Sequence, residues 1–182
     1  MRTSNMVLLL GAALLWAAGH VRAATPEAKL AYQQARDAAG AAYKTARARC
    51  DAITGNPKDV CVAEAKAQRV QGEETARARY EDTVKAYTRA RVRIASANHE
   101  RDQARCAGMT GNDRDVCKAQ AKAALVAAEA DARADQKSIE ARNEARADKL
   151  GAAWRVEMEK CDAFAGAAKD QCVSAARTAF NK

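Results

Sequence analysis

Apolar and small residues recur along this chain at a step of eleven. Cys117, Ala128, Ile139, Leu150 and Cys161 are each eleven residues apart, and Tyr32 and Tyr43 repeat the step. Eleven residues make three helical turns, so each series lines one side of a helix, and the period predicts nearly straight or slightly right-handed packing. Charged residues fill the positions between, with pairs such as Glu73–Arg77, Glu81–Lys85 and Glu129–Arg133 in the favourable i,i+4 order. Thr25-Pro26-Glu27 reads as a cap, a proline in the first turn and an acid, a helix start. The pattern predicts four helices, about 26–53, 57–107, 113–164 and 168–181. Gly72 and Gly151 fall inside predicted helices and mark either close contact or a bend.

The fold class expected is all-α: an elongated antiparallel bundle of four helices, two long central ones and two shorter, joined by disulfide-stapled turns. A helix from 61 to 106 spans ~70 Å at ~1.5 Å per residue. In that arrangement the first and third turns share one end and the second lies at the other. The rod is then four helices thick at one end and two at the other. Tyr43, Trp154, Phe180 and Val70 would form one core layer, and Tyr32 with Tyr80 a second.

Composition explains why staples are needed. Of the 182 residues 48 are Ala, and after residue 23 only 20 are Ile, Leu, Val, Phe, Met or Trp. That is too few for a conventional globular core, which leaves disorder or Ala-rich helices with extra cross-links. Ala and long charged residues have the highest helix propensity, which favours helices.

The cross-links are visible as a repeat. Cys50/Cys61, Cys106/Cys117 and Cys161/Cys172 are each spaced C-x10-C and recur every 55 or 56 residues, within CDAITGNPKDVC, CAGMTGNDRDVC and CDAFAGAAKDQC. Ala63–Ala67 aligns with Ala119–Ala123, and Glu73 and Ala76-Arg77-Ala78 with Glu129 and Ala132-Arg133-Ala134. Each Cys segment reads as a helix end, a tight turn and a helix start. Gly55, Gly111 and Gly166 suit the left-handed position, and Asn56 and Asn112 the N-caps. Asp59, Asp115 and Asp170 suit the first turn. Lys58, Arg114 and Lys169 oppose the dipole and read as surface or contact residues. Six cysteines allow fifteen pairings, of which the three local ones fit the turns best.

The first 23 residues read as a secretory signal: Arg2, an apolar run Val7–Ala18 and a small-x-small site ending at Ala23. Residues 24–182 would then form a single elongated helical domain in the periplasm, not membrane-spanning once the signal is cleaved. Losing Arg2 and Arg22 leaves 29 basic against 23 acidic residues, a mild excess that does not argue for nucleic acid. The cysteines agree with an oxidising compartment.

Little here supports catalysis, a cofactor or a metal. Beyond residue 23 there is one histidine, His99, which reads as a surface residue, and the cysteines are spent on staples. One asymmetry remains. Lys85, Arg89, Arg91 and Arg93 form a basic run interleaved with Tyr87, Val92 and Ile94. It is a candidate contact surface for an anionic envelope component or a partner helix, set against the plainer reading of a solvated basic face.

The segment CDAITGNPKDVC followed by AEAKA resembles small exported Ala-rich proteins of Gram-negative bacteria described as TolA-like or cell-envelope-biogenesis proteins. TolA itself has a membrane anchor and a folded C-terminal domain, so the resemblance implies an envelope location and not the energy-transducing role. A fainter likeness is to lysozyme-inhibitor-like exported domains, which also join helices beside a Cys pair. The expected function is a non-enzymatic structural or interaction protein of the cell envelope that contacts partners through helix faces. The alternative is a periplasmic binding module, either a holdase chaperone or an inhibitor of a secreted enzyme. A homo-oligomer fits either.

Overall fold

The computed structural model describes residues 25–182. The signal segment read at 1–23 lies outside them. The described chain is all-helical, with five helices rather than four: α1 (Pro26–Cys50), α2 (Asn56–Glu81), α3 (Val84–Ala107), α4 (Gly111–Asp162) and α5 (Gly166–Phe180). The expected helix 57–107 is broken at Asp82.

The physical reason for the break is local. Asp82 takes a left-handed conformation at φ 44°, which Asp is one of the few residues besides glycine to tolerate. Its N–H still donates to the Ala78 carbonyl at 2.9 Å. Thr83 is extended and caps α3, its hydroxyl accepting from the Ala86 N–H at 3.1 Å. The Tyr87 hydroxyl donates to Asp82 Oδ1 at 3.3 Å across the reversal. In the second repeat the positions 56 further on are Ser138 and Ile139. Ile139 has no capping oxygen, and α4 runs straight through for 52 residues. The two copies of the repeat therefore fold differently, one as a hairpin and one as a rod of ~78 Å at ~1.5 Å per residue.

The break changes the topology. Each helix packs only on its neighbour in sequence, so α1, α2, α3 and the first half of α4 lie side by side in a row, and α5 covers the far end of α4. The first and second Cys turns are consequently adjacent, not at opposite ends. Asn56 Nδ2 donates across them to the Ala104 carbonyl at 2.8 Å. The third turn sits alone, some 44 residues along α4 from Cys117, or ~66 Å. The expected end, with the last helix packed among the other three, does not form, and the expected layer of Tyr43, Trp154 and Phe180 is divided. Trp154 meets Phe180 edge-on at 5.8 Å, while Tyr43 lies under Arg69 on the α1–α2 pair. Tyr32 and Tyr80 do stack, with ring centroids 4.9 Å apart.

The core of this row is almost wholly alanine. Ala65 and Ala76 of α2 lie on its α1 side, whereas Ala67, Glu74 and Ala78 lie about half a turn round the helix and face α3. On α3, Ala86, Ala90 and Ala97 face α2, and Ala95 and Cys106 face α4. α4 answers with Ala121 and Ala132. Gly72 belongs to the same close packing, since a Cβ there would stand 3.0 Å from the Ala39 Cβ. α2 continues unbroken through Gly72 and α4 through Gly151, where a Cβ would meet nothing within 4 Å.

The three local disulfides, Cys50–Cys61, Cys106–Cys117 and Cys161–Cys172, are all formed, with Cα–Cα separations of 5.5–5.7 Å. Gly55, Gly111 and Gly166 all have positive φ, between 55° and 67°. Asn56 and Asn112, however, are not the caps. They lie inside α2 and α4, whose N-caps are Gly55 and Thr110, and Asn56 is spent on the bond to α3. The basic residues that oppose the helix dipole also find a purpose. Lys58 pairs with Asp51 at 3.4 Å and Lys169 with Asp162 at 2.8 Å, in each case the Asp that follows the first Cys. Arg47 and Lys58 hold the Asp51 carboxyl below the ordinary carboxylate range, and Asp162 raises the Lys169 ammonium. In the second turn Ala107 replaces that Asp, and the ion pair is lost.

Candidate functional site

The basic run singled out from sequence lies on α3, and most of it is engaged within the chain. Arg89 pairs with Glu81, Arg91 with Asp135 at 2.6 Å and Arg93 with Glu74 at 3.0 Å. Glu74 is the buried acid of α2, also held by Arg77 at 3.1 Å. Three of the four basic residues thus bind α3 to α2 and α4, and Lys85 stands exposed beside them. The run holds no acid of its own in sequence; its partners Glu74, Glu81 and Asp135 come from the helices that the break at Asp82 folds alongside.

His99 is likewise a link between helices. Its Nδ1–H donates to the Ala121 carbonyl of α4 at 3.1 Å, and Nε2 accepts from the Gln103 amide at 2.6 Å. Both ring nitrogens are occupied, and the residue is half-buried. Among the described residues, no group of three or more His, Cys, Asp or Glu side chains converges as metal ligands would. No described helix is long and apolar enough to cross a membrane.

The most site-like feature is one that sequence reading did not single out. A trough of about 870 Å³ runs between α1 and α2 on an open face of the row. Its α1 wall is an alanine stripe, Ala28, Ala31, Ala35, Ala38 and Ala42, and its α2 wall includes Gly72 and Ala76. Tyr32, Tyr43 and Tyr80 line it, and Arg69, Arg79 and Gln68 stand at its polar edge. The Arg69 guanidinium sits 5.3 Å from the Tyr43 ring centroid, and Arg36 sits 5.5 Å from that of Tyr32. Glu73 accepts from Arg69 at 2.7 Å and raises its basicity, so this cation stays charged throughout. The trough therefore offers small apolar walls, aromatic ends and a basic margin.

The signal for it was present. The alanines of 28–42 recur at steps of three and four, the helical period. Such a stripe lets a helix approach closely, and α2 fills only part of it.

The fold and this trough define a disulfide-stapled, Ala-packed helical protein with an open apolar face. No protein-family model, curated protein or solved structure matches the chain.

Proposed function

We propose that this chain is a non-enzymatic interaction protein of the periplasm, of the TolA-like exported kind, that receives a helical segment of an envelope partner. The observation that carries the reading is the α1–α2 trough. Its alanine walls admit an apolar helix face, and its Arg69 and Arg79 margin favours acidic flanks on the incoming segment. The three disulfides fit an exported protein. The basic run Lys85, Arg89, Arg91 and Arg93 offers a second surface, for an anionic component, once its internal pairs yield.

A photo-crosslinking residue at Ala35, used in the periplasm, tests this. A discrete envelope protein should be captured, and Ala38→Trp, which fills the trough from an exposed position, should abolish capture while leaving helicity unchanged. Absence of any product, or capture indifferent to Ala38→Trp, contradicts the reading. The same trough favours a second function, a holdase for apolar segments of unfolded clients. Suppression of client aggregation that is lost in Ala38→Trp, with no discrete partner captured, would select it.

A further inference from the structure

The second half of α4 outruns the rest of the fold. By the pairing of Arg91 with Asp135, α3 ends near residue 140 of α4, and by that of Trp154 with Phe180, α5 begins to cover it near residue 153. Every residue from 137 to 150 is exposed. The helix is poorly supported by its own charges there. Glu140/Glu144, Arg142/Arg146 and Glu144/Asp148 are three like-charge pairs at i,i+4, a spacing that destabilises an isolated helix. A bare helix with this pattern is better explained if charges from elsewhere lie against it.

The charges are arranged to be met by themselves. α4 turns Ala121 and Ala132 toward α3 and Trp154 and Cys161 toward α5. At ~3.6 residues per turn the opposite face carries Ala127, Ala134, Ser138, Ala141, Ala145 and Ala152, all exposed. One flank of that face is basic before residue 139 (Arg133, Lys137) and acidic just after it (Glu140, Glu144), with Arg155 basic again near its far end. The other flank is acidic before (Asp131, Asp135) and basic after (Arg142, Lys149). Two such faces laid antiparallel about a two-fold near residue 139 match over residues 131–149, with Asp148 beside the alanines and Arg155 beyond them left without an opposite charge. Ser138 meets Ala141, Ala134 meets Ala145 and Ala127 meets Ala152. Arg133 falls opposite Glu144, Lys137 opposite Glu140, Asp131 opposite Lys149 and Asp135 opposite Arg142, each twice by symmetry.

We propose that this outer face of α4 is an interface with a second copy of the chain, packed antiparallel over about residues 123–156. Shape selects the direction. Antiparallel packing places the exposed Val156 on Ala123, large against small, and keeps the axes at alanine spacing. Parallel packing sets Val156 against Val156 and wedges them apart. α3 and α5 lie on the far side of α4 and do not obstruct it. Within the chain Asp135 holds Arg91 and Arg133 holds Glu129, while among the described residues Asp131, Lys137, Arg142, Glu144 and Lys149 form no ion pair. The pairing is independent of the α1–α2 trough and of any envelope partner.

Sedimentation and light scattering of the purified chain at low salt test the interface. A dimer is expected that dissociates as salt is raised. R133E/K137E should weaken it by about tenfold or more, with helicity retained. Adding E140K/E144K to the same chain should restore it, since the exchanged flank is again self-complementary in the antiparallel pair. In a parallel pair the exchanged flank would face Asp131, Asp135, Arg142 and Lys149 with like charges, and restoration would fail. A monomer at all concentrations, a dimer indifferent to R133E/K137E, or failure of E140K/E144K to restore it overturns the proposal.

Discussion

Complete reduction of the three disulfides should unfold α5 first and lower the melting temperature of the whole chain steeply. Each disulfide closes a loop of sequence separation 11. A loop of about that length is worth ~2.8 kcal/mol in the chain-entropy model, so three together contribute ~8 kcal/mol. That is comparable with the ~5–15 kcal/mol net stability of a typical domain. The loss should be uneven. α1, α2, α3 and the start of α4 support one another side by side, and the first two turns are tied by the Asn56–Ala104 bond. α5 touches α4 alone, buries only Ala176 and relies on the Trp154–Phe180 contact and the Cys161–Cys172 bridge. A helix of 15 residues is marginal by itself in water. Hydrogen exchange under reducing conditions should therefore show α5 amides losing protection before those of α2 and α3. Unchanged far-UV helicity and melting temperature after full reduction would contradict the account.

Enlarging a core alanine should damage this protein more than deleting most of its larger side chains. Ala132 is 0% and Ala78 2% exposed, at the α3–α4 and α2–α3 contacts respectively. Neither site has room beside it, because the helices meet at alanine separation. Ala132→Leu or Ala78→Leu forces the axes apart or the side chain off its rotamer, at a cost of about 1–3 kcal/mol against the ~5–15 kcal/mol net stability of a typical domain. Ala41→Leu on the exposed side of α1 is the control, with an expected effect within ~0.5 kcal/mol. Thermal melts of the three variants decide it. A Leu at position 132 tolerated as well as one at 41 would mean that the alanines are not in close contact.

Much of the fold was legible because its signals are local. The cysteine spacing, the positive-φ glycines and the Thr25 cap each act within one turn, and the three disulfides, the turns and α1 follow from them. The stacked Tyr32 and Tyr80 and the close approach at Gly72 follow from pairing α1 with α2 across the first turn. The break at Asp82 was not read, although Asp82-Thr83 carries both a residue tolerant of the left-handed conformation and a capping hydroxyl. Strong helix formers on either side hid it. The hydrophobic pattern gave no help, since α2 and α3 each bury alanines on two opposite faces and so lack one apolar stripe. That single omission carried the errors of topology; the misplaced caps at Asn56 and Asn112 are separate and local. With α3 folded back, the second Cys turn moves beside the first, the last helix leaves the other three and Tyr43 parts from Trp154. The eleven-residue stripe of α4 is real, but only its ends are covered, and Ile139 and Leu150 lie exposed between α3 and α5. The trough was hidden for a related reason: alanine stripes read as packing surface, and sequence does not say which of them stays uncovered.

The chain reverses at Asp82, so that one copy of the repeat is a hairpin and the other a rod. A distance between spin labels at the exposed positions Ile53 and Met109, attached without using cysteine, tests it most directly. The hairpin places the first two Cys turns side by side and predicts a separation of about two helix diameters, ~20–25 Å. A continuous helix over the same residues would hold the labels ~70 Å or more apart, and that result would contradict the account.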